Sequence, residues 1–148
     1  MPKVLIVVGS KCDLEYAEKA SQQLKTLGIE STTEVSSAHR HPERTAQLAK
    51  QAQSDGFEVV IAMAGLAAAL PGVVAAHTIL PVIGVPLPAA LDGLDSLLAT
   101  VQMPPGIPVA AVAIGSPGAT NAAVLAARIL ALKYPEVRRA LDSHRAGL

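Results

Sequence analysis

The sequence predicts an α/β fold with a doubly wound, five-stranded parallel sheet covered by helices on both faces. Two observations predict it. Short continuous apolar runs alternate along the chain with segments of helical spacing, and strands buried on both faces belong to parallel sheets. The chain has 148 residues, and such a length buries roughly 70% of the surface its unfolded form exposes, which suits one domain, 1–148, with a real core.

KVLIVV (3–8) is the first strand, ending in Gly9-Ser10, and DLEYAEKASQQLKTLG (13–28) is a helix running from an Asp13 cap to Gly28 as its stop. A weaker alternating strand spans 29–37, and the next helix spans 41–56, with Pro42 in its first turn and Gly56 at its end. EVVIAM (58–63) is the third strand, 69–77 part of a short helix, and PVIGVPL (81–87) the fourth strand. A helix over 91–103 runs into the turn-rich MPPGIP, PVAAVAI (108–114) is the fifth strand, and helices over 116–132 and 135–145 close the chain.

Hydrophobic residues make up 51%, charged residues 16% and aromatics 2%, with a formal net charge of zero. Zero net charge gives no global attraction to nucleic acid or to an anionic membrane. An Ala/Val/Leu/Ile core with few charges to cover the outside implies apolar surface buried in an oligomer. The single Cys12 cannot form an internal disulfide, and the N-terminus lacks the apolar stretch and cleavage site of a signal peptide, so a cytoplasmic location is expected. Residues 65–87 are long and almost uncharged, but their prolines, glycines and His77 argue for a buried helix, a turn and a strand, and against a membrane span.

In doubly wound sheets, ligands bind beyond the carboxyl ends of the strands, where strand order reverses. GSKCD (9–13) opens a helix straight after a strand. Its free N–H groups, Ser10 and the helix dipole make an anion site, or else Gly9 turns the chain and Ser10 or Asp13 merely caps the helix. SSAHRHP (36–42) follows the second strand. There Arg40 and Ser37 could hold the same anion and His39 could carry a proton, or the loop is simply solvated and caps the following helix. His41, Glu43 and Arg44 read as the exposed start of a solvated helix and His77 as a buried or interface histidine. AGLAAALPG (64–72) offers backbone N–H groups and close approach, or a tightly packed helix start. Gln102, Met103 and Asn121 could line a site or serve turns and caps. No dinucleotide or nucleoside-triphosphate phosphate loop is present, which speaks against a nicotinamide enzyme or an ATPase, and neither a metal-ligand spacing nor a hydrolase elbow appears.

GSKCD, GIESTTEVSSAHRHP, AGLAAALPGVVAAHT, LPVIGVPL, GLDSLLATVQMPPGIPVAAVAIG and NAAVLAARIL, in this order, resemble the N5-carboxyaminoimidazole ribonucleotide mutases of purine biosynthesis over roughly the whole chain. The resemblance implies a three-layer, flavodoxin-like sandwich assembled as a homo-octamer, with sites built from more than one subunit. It implies a ribonucleotide substrate whose carboxylate moves from the exocyclic nitrogen to ring carbon 4 without a cofactor. By the same resemblance His39 is the acid/base residue, Ser10, Ser37 and Arg40 bind phosphate, Asp13 holds the ribose hydroxyls, and Gly65 and Leu70 line the substrate. Two departures from the pattern matter: Cys12 stands for the serine of GSxSD, and Ala69 in LAAALPG stands for the histidine of GAAHLPG. Ala69 keeps open two alternatives, direct carboxylation of the free amine with carbon dioxide and a ribonucleotide-binding domain that has lost catalysis.

Overall fold

The computed structural model describes residues 1–148. In chain order the elements are β1 (Lys3–Val8), α1 (Leu14–Thr26), β2 (Glu30–Val35), α2 (Pro42–Gln51), β3 (Val59–Ala64), α3 (Leu70–His77), β4 (Val82–Pro86), α4 (Leu94–Val101), β5 (Ala110–Ala111), α5 (Ser116–Leu130) and α6 (Pro135–Ala146). All five strands run parallel in the order β2-β1-β3-β4-β5. The chain leaves β1 toward one edge and returns past it toward the other, so the reversal lies between β1 and β3.

The pleat divides the core in two. Val4, Ile6 and Val8 pack with Ala17, Ala20 and Leu24 of α1, Ala119, Ala122, Ala123 and Ala126 of α5, and Val137 of α6. Leu5 and Val7, pointing the other way, pack with Ala49 of α2 and Leu70 and Val74 of α3. Because β1 and β3 are covered on both sides, they read as unbroken apolar runs. Each fully buried side chain such as Leu24 contributes about 1.5–3 kcal/mol, while the alanines let α1 and α5 approach closely. At the amino end of β3 the hydroxyl of Tyr134 donates to Glu58, whose other oxygen accepts from Lys133 at 3.3 Å, tying the start of α6 to the sheet.

Three elements differ from expectation. The fifth strand shrinks to Ala110–Ala111: Val112 N–H still donates to Gly84 at 3.2 Å and Gly115 N–H to Pro86 at 2.9 Å, but the carbonyl of Ala113 turns in against Gly118 of α5. α4 begins only at Leu94, since Leu91, Asp92 and Gly93 have φ of +51°, +53° and +89° and cannot belong to a right-handed helix. α1 begins at Leu14 after a short 3₁₀ turn over Lys11–Asp13, and the Asp13 side chain makes no capping bond. Gly28 and Gly56, read as helix stops, do adopt the left-handed φ values of +74° and +89° that end such segments.

Candidate active site at the carboxyl ends of the strands

The register puts three loop starts on one level. Val8 is paired with Val35 on one side and with Met63 on the other, so Gly9, Ser36 and Ala64 follow side by side, Ala64 still paired with Pro86 of β4 and Gly65 the first residue beyond it. Ser36 N–H donates to the Val8 carbonyl at 2.8 Å, joining the β2 loop to the end of β1. The loops after β1, β2 and β3 therefore meet at the strand-order reversal, the place where such sheets bind ligands.

In the β1 loop Ser10 is the capping residue: its Oγ accepts from Cys12 N–H at 3.3 Å. A hydroxyl that accepts keeps its own O–H free to donate, so the cap and an anion contact do not exclude each other. Asp13 is half-buried beside it. Burial raises its carboxyl above the usual value, the charge of Glu15 adds to the rise, and a backbone hydrogen bond from Ser10 opposes it. Cys12 is exposed.

The β2 loop is a tight turn. Ser37 Oγ accepts from Arg40 N–H at 3.1 Å, and His41 N–H donates to the Ser37 carbonyl at 2.8 Å. Ser37 too keeps a free O–H, while His39 and Arg40 stand exposed at the tip of the turn. Two side chains that sequence reasoning assigned to solvent, or passed over, fix this turn. Arg44 donates to the Val35 carbonyl at 2.8 Å and pairs with Glu34 at 2.9 Å, and the buried hydroxyls of Ser36 and Thr45 bond at 2.8 Å. The signal was the i+4 step from His41 to Thr45, whose Oγ1 also donates to the His41 carbonyl at 3.0 Å. His41, as expected, precedes Pro42 and makes no side-chain cap.

In the β3 loop Gly65 lies so close to the next loop that a Cβ would sit 3.4 Å from the Leu87 carbonyl oxygen. The Leu70 side chain is buried in the core at 1% exposure, so only its backbone can face a ligand, as the first residue of α3. Ala69 occupies the cap position of α3 without a capping bond. Leu66, which the sequence reading passed over, has φ +53°, a conformation that costs a leucine roughly 1–2 kcal/mol.

Other candidates lie elsewhere. His77 is in the last turn of α3, and with Lys50, Ile79 and Ile107 it lines a cavity of about 880 Å³ at the amino ends of β4 and β5. That cavity is at the far end of the sheet from the three converging loops, which stand at the strand-order reversal where such sheets bind ligands. Met103 packs on α3, its Sδ 3.2 Å from where a Cβ of Gly72 would be, and Gln102 and Asn121 are exposed. Asp95 on the first turn of α4 has a buried Oδ1 without a partner. No group of three or more His, Cys, Asp or Glu side chains converges as metal ligands would.

Residues 3–148 match the family described as AIR carboxylase. The chain belongs to the AIR carboxylase family. Among its relatives, the N5-carboxyaminoimidazole ribonucleotide mutase of Saccharolobus solfataricus is 59% identical over 138 residues, covering 93% of this chain and 86% of that protein. The corresponding mutase of Pyrococcus abyssi is 53% identical over 149 residues, covering all of this chain and 84% of its own. Of solved structures, Treponema denticola PurE superposes with a TM-score of 0.90 at 34% identity, over 99% of this chain and 91% of that one. Family membership and the superposition agree with the doubly wound sandwich built up above.

One measurement isolates the burial of Asp13 in this AIR carboxylase family chain. Its folded-state pKa is raised, so between the unfolded and folded values the native state binds more protons, and stability falls as pH rises through that window. Asp13→Asn is therefore expected to raise the melting temperature at pH 7, with the gain vanishing below the unfolded pKa of 3.8. Melting scans of both proteins from pH 3 to pH 8 check this; an unchanged or lower melting temperature at pH 7 refutes it.

Proposed function

We propose that this chain is an N5-carboxyaminoimidazole ribonucleotide mutase, an isomerase of purine biosynthesis that moves the carboxylate from the exocyclic nitrogen to ring carbon 4. The observation that carries this is identity of 50–59% to proteins of that name over almost the whole chain. The site roles are our reading of the loops. Ser10 and Ser37, each with an O–H left to donate, and the Arg40 guanidinium grip the phosphate; Asp13 accepts from the ribose hydroxyls; the Gly65 and Leu70 backbone lines the base.

His39 carries the proton. Protonation of the carboxylated nitrogen lets its bond to the carboxyl carbon break, the electron pair returning to nitrogen and carbon dioxide being released. Ring carbon 4, electron-rich through the amino group, attacks the carbon dioxide, and a base then takes the carbon 4 proton to restore aromaticity. A single imidazole that donates in the first half and accepts in the second closes the proton cycle. No cofactor enters any of these steps.

One catalytic domain over 1–148, a cytoplasmic location and a homo-octamer complete the reading. No helix is long and apolar enough to cross a membrane. Leu91, Leu94, Leu98 and Val101 support the third: they are 72%, 54%, 49% and 47% exposed, and from Leu94 onward they follow the i, i+4, i+7 spacing of one helix face.

Ala69, in place of a histidine, favours one other reading, direct carboxylation of 5-aminoimidazole ribonucleotide with carbon dioxide. Assaying the purified chain with the carbamate, and separately with the free amine plus bicarbonate, decides between them. Product from the carbamate at a rate at least tenfold above that from the amine is the expected result. The reverse ratio establishes the carboxylase, and ribonucleotide binding without turnover on either substrate establishes a binding domain.

A further inference from the structure

The two ends of the turn that carries His39 are joined by a chain of buried hydrogen bonds. Ser36 N–H donates to the Val8 carbonyl at 2.8 Å, fixing the start of the turn to β1. The Thr45 hydroxyl, on the first turn of α2, donates to the His41 carbonyl at 3.0 Å, and its Oγ1 lies 2.8 Å from Ser36 Oγ. A hydroxyl has one proton to give. With the Thr45 proton committed to His41, it is Ser36 that donates to Thr45. The circuit closes where His41 N–H donates to the Ser37 carbonyl at 2.8 Å. Ser36 and Thr45 are 2% and 0% exposed, so no water competes for these bonds.

The fold itself does not ask for these hydroxyls. Valine would fill the space of Thr45 without a polar atom, and a hydroxyl in the core is a liability unless it is paired. Thr45 N–H already donates to the same His41 carbonyl at 3.1 Å, so the start of α2 does not depend on the side chain. What the pair adds is direction. Apolar contact is non-directional, whereas two hydroxyls in series fix the separation between the end of β2 and the first turn of α2. The other brace, Arg44 with Glu34, has side chains 48% and 37% exposed and holds less firmly in water. His39 stands exposed at the tip with no hydrogen bond of its own to aim it. In the reaction proposed above, that one imidazole meets two different atoms, the exocyclic nitrogen and ring carbon 4.

We infer that Ser36 and Thr45 are positioning residues for the proton transfers, their buried hydroxyl pair setting the height and direction of the His39 turn against the β1 loop. This inference rests on the mutase reading and on His39 as the proton carrier. Neither side chain touches substrate, since both lie in the core beneath the turn. Loosening the base of the turn misplaces the imidazole at its tip, and small misplacements act on the rate of the chemical step. The phosphate grip is shared with Ser10 on the β1 loop, which the pair does not contact, so binding changes less than turnover.

The test compares the full chain with Thr45→Val, Thr45→Ser and the double variant Ser36→Ala/Thr45→Val, by steady-state kinetics on the carbamate and by melting curves. Valine keeps the shape of Thr45 but leaves the Ser36 hydroxyl buried without a partner, so the single variant melts roughly 5 °C lower. The double variant has no orphaned hydroxyl, and removing both partners is close to neutral, so its melting temperature returns to within about 2 °C of the parent. Its kcat, measured well below the melting transition, is expected to stay about tenfold down, with KM within about threefold. Thr45→Ser keeps the hydroxyl and is expected to hold kcat within about twofold of the parent. A double variant with the parent kcat shows that the pair serves stability alone and overturns the inference, as does a raised KM with an unchanged kcat. A parent chain that makes no product from the carbamate overturns the mutase reading instead, and this inference with it.

Discussion

Replacing His39 with asparagine is expected to lower kcat by about 10²- to 10⁴-fold, the usual share of a general acid–base residue, while leaving the fold intact. The side chain is exposed at the tip of the β2 turn and makes no hydrogen bond, so its removal opens no cavity and orphans no partner. The turn is held by others, through the Ser37 and Arg40 backbone, the Arg44–Glu34 pair and the Ser36–Thr45 bond. Asparagine can still hydrogen-bond, but it cannot exchange a proton near neutral pH. Both halves of the proposed cycle pass through one imidazole, so the loss falls on kcat, with KM changed by no more than about threefold. Steady-state kinetics with the carbamate, together with a melting curve, checks this. A variant with the parent rate removes His39 from the mechanism, and one that melts much lower gives it a structural role instead.

The largest effect on stability is expected from Gly118→Ala. Gly118 is in the first turn of α5, where a Cβ would lie 1.7 Å from the carbonyl oxygen of Ala113 and 2.7 Å from its carbonyl carbon. These are backbone atoms, with no flexible side chain to swing aside. Residues 112–115 are meanwhile held to β4 by the Val112 and Gly115 hydrogen bonds. Either α5 lifts from the sheet, disturbing the alanine contacts of Ala119, Ala122 and Ala126, or those bonds break. Overpacking that forces backbone shifts costs about 3 kcal/mol or more. For a chain of this length that lowers the melting temperature by roughly 10 °C. The change runs against propensity, since alanine is the better helix former by about 1 kcal/mol. A melting temperature equal to or above the parent's shows that the contact at Ala113 is not fixed.

How far the site was legible follows from the kind of information each residue carries. Ser10, Ser37, His39 and Arg40 could be proposed from the sequence because they stand in loops beyond the ends of strands, where doubly wound sheets hold their ligands. Leu70 was readable only as a motif position; its burial against Val74 and Leu5 restricts any contact with substrate to its backbone. Arg44 looked like one more charge on a solvated helix, because its partners, the end of β2 and Glu34, become neighbours only when α2 folds back along the strand. Leu66 looked like an ordinary apolar loop residue, since a backbone angle has no letter in the sequence.

The sequence by itself determined the element order, the parallel sheet and the sheet edge on which the proposed site is argued. Local periodicity and strand burial are written in the order of apolar and polar residues. The tertiary structure alone decided where the fifth strand stops, why α4 starts late, which side chains hold the His39 turn, and which glycine cannot be replaced. Each of these depends on a contact between residues far apart in the chain or on a backbone angle imposed by such contacts, as when the Ala113 carbonyl closes on Gly118 or the Leu87 loop fixes the turn beneath Leu66. Propensity and spacing act over a few residues, and packing at this density acts across the whole sheet.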